Sequence, residues 1–192
     1  LITKEEQLLF SKLSGDYNPI HIDPIEARRL LFGTTIIHGI HGALSGIDFW
    51  LMDLKKNIVI NSLNINFKKP IRTKDKINLS ISNLESKKTL IELSVFNQLS
   101  TSIEILWEYN STQEVFYKDG IIPLDKPHTP KKEEIPNLDG FLDLYLNKGL
   151  LDEILPNVSN YLDSNQISCL LATTRLVGMK NPGLNSLFSQ LF

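Results

Sequence analysis

Gly39-Ile40-His41-Gly42-Ala43-Leu44-Ser45-Gly46-Ile47-Asp48-Phe49-Trp50-Leu51-Met52-Asp53-Leu54 carries the most structural information in this chain. Ile40, Leu44, Ile47 and Leu51 recur at helical spacing. Gly39, Gly42, Ala43 and Gly46 keep much of the remaining surface small. A glycine inside a helix costs about 1 kcal/mol relative to alanine, and close approach to another backbone layer offsets that cost. The pattern predicts a helix over 39–54 that lies buried against a sheet.

Downstream, four segments alternate with period two. Leu63, Ile65 and Phe67 alternate with Asn64 and Asn66 within 58–67, and Ile77, Leu79 and Ile81 with Asn78, Ser80 and Ser82 within 76–84. Residues 89–97 carry Leu90, Ile91, Leu93, Val95 and Phe96, and residues 101–109 carry Ile103, Ile105, Trp107 and Tyr109. Such alternation marks antiparallel strands with one wet face. Glu85–Lys88 and Gln98–Ser100 are short enough to be hairpin connections. The fold class is therefore α+β: a curved antiparallel sheet wrapped around a central helix.

Upstream, Thr3 and Glu6 have capping-box spacing for a helix over 3–14, which Gly15 can end. Residues 16–24 read as irregular, and Pro24 opens a short helix over 24–31, with Asp23 suited to cap it. Beyond the strands, Asp119-Gly120, four prolines and the charge run Lys131-Lys132-Glu133-Glu134 make 118–137 a linker between a first domain at 1–117 and a second unit at 138–192. In that unit a helix is expected near 139–148, helix or strand over Gln166–Val177, a turn at Asn181-Pro182-Gly183, and further helix from Leu184. Sliding Leu13 onto Leu176 makes Leu, Gly, Asn and Pro coincide, while Asp16 meets Met179 and His21 meets Leu184. This reads as a degenerate repeat that keeps the turn and loses the ionisable groups.

The bulk properties exclude several classes. With 20 basic and 22 acidic residues and a net charge of -2, the chain lacks the basic excess of a nucleic-acid binder. No run approaches the roughly 20 apolar residues of a membrane span. One cysteine, Cys169, excludes an intrachain disulfide and a Cys-based zinc site, and fits a reducing, cytoplasmic setting. The missing initiator Met and the apolar ending Leu191-Phe192 suggest a fragment or processed chain.

Asp16 and His21 stand five residues apart across a turn that Asn18 and Pro19 constrain. An imidazole and a carboxylate so placed can share one water and move its protons near neutral pH. Gly39 complements them: at a helix N-terminus, its N–H suits an oxygen gaining negative charge, and its missing side chain lets a planar carbonyl approach. His38 suits a hydrogen bond to the turn, and His41 suits packing. The basic run Lys68, Lys69, Arg72, Lys74 and Lys76 reads first as a solvated rim and second as a hold for phosphates or an acidic carrier.

Phe10, Leu13-Ser14-Gly15-Asp16-Tyr17-Asn18-Pro19-Ile20-His21-Ile22-Asp23, Ala27, Phe32-Gly33, Ile36 and His38-Gly39 resemble the signature of the MaoC-like, or (R)-specific enoyl-CoA hydratase, branch of the hot-dog fold. Asn66–Ile71 and Asp75 resemble the strand and loop that follow, and Thr174–Leu184 resembles the start of a degenerate second hot-dog unit. The resemblance implies that Asp16 and His21 activate a water, that Asn18 supports them, and that Gly39 binds the thioester carbonyl. Tyr17 and His38 become candidate substrate or turn contacts. Where hydratase relatives often carry a serine, this chain has Leu44, with Ser45 beside it on another side of the helix. The implied reaction is reversible hydration of an enoyl, or dehydration of a (3R)-hydroxyacyl, thioester. The implied partner is acyl-CoA or an acyl carrier protein, with no cofactor and no metal. The implied assembly is a homodimer or a pseudo-dimer with the second unit. A non-catalytic thioester-binding or scaffolding subunit and an acyl thioesterase stay open as alternatives.

Overall fold

The computed structural model describes residues 1–29, 32–111, 122, 126 and 143–180. In chain order come α1 (Lys4–Ser14), α2 (Pro19–Ile22), α3 (Pro24–Arg28), α4 (Gly39–Leu54), β1 (Ile58–Phe67), β2 (Ile77–Glu85), β3 (Lys88–Val95), β4 (Gln98–Tyr109), α5 (Lys148–Ile154), α6 (Pro156–Tyr161), α7 (Ser164–Arg175) and a π-helical turn, Leu176–Lys180. The strands form one antiparallel sheet in the order β1-β4-β3-β2. With α4 packed on its inner face, this is the α+β hot-dog architecture expected from the sequence.

The helix–sheet contact explains the glycines. A Cβ on Gly46 would lie 3.2 Å from Ile91, 3.4 Å from Leu93 and 3.6 Å from Ile103. All three belong to strands that turn alternate residues inward: Thr89, Ile91, Leu93 and Val95 on β3, and Thr101, Ile103, Ile105 and Trp107 on β4. Ile91, Ile103, Ile105 and Trp107 share one apolar core with Ala43, Leu44, Ile47, Trp50 and Leu51 of α4, while Leu93 and Val95 pack with Ile2, Ile37 and Ile71.

Local chemistry sets the other boundaries. Glu6 N–H donates to Thr3 Oγ1 at 3.1 Å and Thr3 N–H to Glu6 Oε2 at 2.6 Å, closing the capping box. Gly15, at φ 74°, ends α1. Asp23 Oδ1 accepts from Ile25 and Glu26 N–H and caps α3. Two expectations need correction. Residues 16–24 are not wholly irregular, because Asn18 Oδ1 accepts the Ile20 N–H at 3.1 Å and starts the helical turn α2. The β3–β4 connection is Phe96-Asn97, not 98–100: both residues have positive φ, 50° and 60°, which matches a tight turn to the strand twist. Phe96 is thus a turn residue, 82% exposed, rather than a strand position.

The described part of the C-terminal segment joins the same core. Leu146, Leu151, Leu155, Val158, Leu162, Ile167 and Leu171 cluster with Phe10, Leu13, Ile47 and Leu51. Asp48 on α4 holds the start of α6: Oδ1 accepts from Asn157 and Val158 N–H, each at 2.8 Å, and Oδ2 from Asn157 Nδ2 at 3.0 Å. Gln166 brackets the bulged edge strand, accepting from Ile60 N–H at 2.9 Å and donating to Ile60 O at 2.7 Å. Residues 143–147 are not helical and α5 starts at Lys148; the rest of the helix expected near 139–148 lies outside the described residues. Gln166–Arg175 is helix, continued by the π turn. Most of the 118–137 linker, the Asn181-Pro182-Gly183 turn and the stretch from Leu184 lie outside the described residues.

Candidate active site

The loop after α1 is fixed by hydrogen bonds between residues close in the chain. Asp16 N–H donates to Ser14 Oγ at 3.2 Å, and Asn18 N–H donates to Asp16 Oδ1 at 3.2 Å. Such side-chain-to-backbone bonds let Ser, Asp and Asn replace regular structure with a defined turn. Asp16, Asn18, His21 and His38 are all buried. Atoms of Asp16, His21 and His38 able to hold one ligand lie within 4.8 Å of one another. Two hydrogen bonds of about 2.8 Å through a shared water span that gap.

His21 Nδ1 lies 3.0 Å from Ile36 O. A carbonyl only accepts, so Nδ1 carries the hydrogen and Nε2 keeps a lone pair. Burial holds His21 below the ordinary histidine range, opposed by the Asp16 charge and the Ile36 bond, so the ring is neutral and Nε2 is a base. Asp16 is pushed upward by burial, against the lowering influences of His21, Thr174 and Asn18.

His38 is the post beneath this pair. Its ring stacks on His21 at 3.9 Å between centroids, and Nε2 donates to Asp16 O at 3.0 Å. Its 4.0 Å approach to Asp16 Oδ2 is not an ion pair, because burial and then His21 hold His38 well below the ordinary range. His38 Nδ1 and His41 Nδ1 lie 2.8 Å and 3.1 Å from Gln7 Oε1. If that atom were oxygen, His38 would donate from both nitrogens and carry a charge. With the amide turned over, its nitrogen donates one hydrogen to each Nδ1, and both rings stay neutral. We assign that orientation, which also gives partners to the amide nitrogen otherwise left without one.

The buried imidazoles give the fold a pH dependence. Burial, then His21, lowers His41 to about 3. A folded pKa below the unfolded one means that the unfolded chain takes up the proton first. Stability is therefore full above 6.5 and is lost as pH falls toward 3. For His41 alone the loss from pH 7 to pH 5 is about 2 kcal/mol. Asp16, raised rather than lowered, has the opposite sign: it disfavours the fold as pH rises through its folded value. We expect the melting temperature to drop between pH 7 and 5, and the drop to shrink in His41→Leu. A flat profile in the unmodified protein contradicts buried neutral imidazoles.

A cavity of about 470 Å³ opens onto the pair. Asp16 and His21 meet Gly39, Ile40 and Gly42 from α4 there, with Phe67, Lys68 and Lys69 from β1 and its exit. No side chain caps α4, so its first-turn N–H groups lack intrahelical acceptors at the end that faces this space. Lys68 and Lys69 line the mouth, whereas Arg72 does not; its N–H donates to Asp75 Oδ2 at 2.8 Å. Tyr17 turns away, donating to Ile122 O at 3.1 Å. Leu44 is 1% exposed in the core, and Ser45 donates to His41 O at 2.8 Å; neither lines the cavity. Of the candidates for substrate or turn contact, His38 makes the turn contact and Tyr17 a loop contact, while Leu44 and Ser45 pack within the core and against their own helix; Arg72, read as a hold for phosphates or a carrier, does not line the cavity.

The family model for the MaoC like domain matches residues 1–101. The chain belongs to the MaoC-like family. Within it, one stretch of 38 residues is 47% identical to the peroxisomal hydratase-dehydrogenase-epimerase of Saccharomyces cerevisiae and covers 20% of this chain. The protein of that name from Neurospora crassa is 50% identical over 38 residues. Each match spans only 4% of the relative's length. The (R)-hydratase from A. caviae involved in PHA biosynthesis is structurally similar at a TM-score of 0.46 and 22% identity, covering 56% of this chain and 87% of that one.

One part of this MaoC-like site escaped the sequence. Thr173, Thr174, Val177 and Gly178, from α7 and the π turn, also line the cavity. Sliding Leu13 onto Leu176 sets Gly178 against Gly15 in the sequence, but does not mark it as a neighbour of Asp16. No local spacing links residues so far apart in the chain.

Proposed function

We propose that the chain reversibly adds water to an enoyl thioester to give a (3R)-hydroxyacyl thioester. The observation that carries this reading is one cavity holding a neutral imidazole with a free Nε2, a buried carboxylate within 4.8 Å, and an uncapped helix N-terminus at Gly39. Membership of the MaoC-like family supports hydratase or dehydratase chemistry in general; the thioester and its carrier are our own inference.

In the hydration direction, the Asp16–His21 pair takes a proton from water as its oxygen bonds to the β-carbon. The carbon–carbon π electrons move to the thioester oxygen, which gains charge beside the Gly39 N–H. Collapse of that enolate takes a proton onto the α-carbon, restores the carbonyl and returns the pair to its starting state. The two groups titrate as a unit, so a pH–rate profile reports the pair. Lys68 and Lys69 at the mouth suit the phosphates of CoA or the acidic face of a carrier protein.

Incubation with crotonyl-CoA and longer enoyl-CoA thioesters is the test. The expected result is reversible loss of enoyl absorbance with no free thiol. Thiol release would indicate a thioesterase, and calorimetric binding without turnover would indicate a binding subunit.

A further inference from the structure

Asp16 is held from the far end of the chain. Thr174 Oγ1 donates to Asp16 Oδ2 at 2.9 Å, across 158 residues. Asn18 Nδ2 donates to Gly178 O at 2.8 Å, and a Cβ on Gly178 would collide with the Asp16 carboxylate. Two polar ties and one close packing contact thus press α7 and the π turn against the carboxylate.

Thr174 and its neighbour differ in an informative way. The Thr173 hydroxyl donates to Cys169 O four residues back, the usual fate of a threonine within a helix. Thr174 instead aims its hydroxyl out of the helix at Asp16. The two carboxylate oxygens then have separate donors, Asn18 N–H on Oδ1 and Thr174 O–H on Oδ2. That arrangement fixes the plane of the group and leaves a lone pair on each oxygen for the shared water.

We infer that Thr174 is a positioning residue for Asp16, so that the C-terminal segment completes the acid–base site of the first domain. The inference rests on the hydratase reading for its effect on rate, but not for its effect on the carboxylate. A hydrogen bond to an ionised group strengthens the charged form and opposes the burial that raises Asp16. Without the hydroxyl, Asp16 holds its proton to higher pH and loses its fixed orientation.

The test compares Thr174→Val, which keeps shape, with Thr174→Ser, which keeps the hydroxyl. The side-chain carboxyl of Asp16 is followed by carbon NMR across a pH titration in each full-length protein, alongside steady-state kinetics. In T174V the Asp16 midpoint moves to higher pH, the acid limb of kcat/KM moves with it, and kcat falls about 10- to 100-fold with little change in KM. T174S restores all three. An Asp16 titration identical in T174V and the unmodified protein overturns the inference, as does a shift in T174S as large as in T174V. Because the titration needs no turnover, a shifted midpoint in a protein that hydrates nothing upholds the positioning role and removes only the hydratase reading. If T174V does not fold, Thr174→Ala takes its place: the same upward shift of the Asp16 midpoint is expected, and an unshifted midpoint overturns the inference.

Discussion

Asp16→Asn is expected to lower kcat by about 10³-fold while the melting temperature at neutral pH holds or rises. The loss follows from removing one half of a pair that moves the protons of a single water. His21→Ala is expected to lose a similar factor, and the double variant little more than either single one, because residues that act as a unit do not contribute additively. The stability effect has the opposite sign for a physical reason. Burial raises Asp16, so the fold disfavours its charged form, and a neutral isostere removes that cost. Such a trade is typical of a site whose chemistry opposes the interests of the core. Steady-state rates and thermal melts on the same preparations check both halves. Full activity in Asp16→Asn would remove the carboxylate from the mechanism, and a large fall in melting temperature would recast it as structural.

Gly39→Val is expected to cost about 10²-fold in kcat/KM, the scale of losing one donor to a developing oxyanion. A Cβ at Gly39 would lie 2.8 Å from Phe67 Cε1. Phe67 is 51% exposed, so its ring has room to yield and the fold survives. The substrate has no such freedom, since the added methyl groups stand where a planar carbonyl must approach the N–H. Kinetics with an enoyl-CoA, together with a circular dichroism melt, separate the two effects. Unchanged kcat/KM would show that the carbonyl binds elsewhere.

Much of this fold was legible because local and global signals agree. The small residues of α4 announce a close layer, and Gly46 meets Ile91 and Leu93 as that pattern requires. Alternation located β1 to β4 to within a few residues, failing at Phe96, where an apolar side chain sits in a turn set by backbone twist. The Asp16–His21 pair was legible because its geometry is local: a cap, a turn and a short helix bring the two together. Tyr17 and Arg72 were not placed by the sequence, because proximity in the chain does not say which way a loop side chain turns, whereas helical spacing already set Ser45 apart from Leu44. Gln7 and Thr174 were invisible for another reason. Each acts through one contact with residues distant in the chain, Gln7 on His38 and His41 and Thr174 on Asp16, and no periodicity records such a contact.

The central claim is that the pair delivers water to the β-carbon and leaves the thioester intact. Incubation of the full chain with crotonyl-CoA in ¹⁸O-labelled water, followed by mass spectrometry of the intact thioester, tests it most directly. The account predicts one heavy oxygen, in the 3-hydroxyl of an intact hydroxyacyl-CoA, in the unmodified protein and not in Asp16→Asn. Label found only in a released carboxylic acid, or no label in any product, would contradict it.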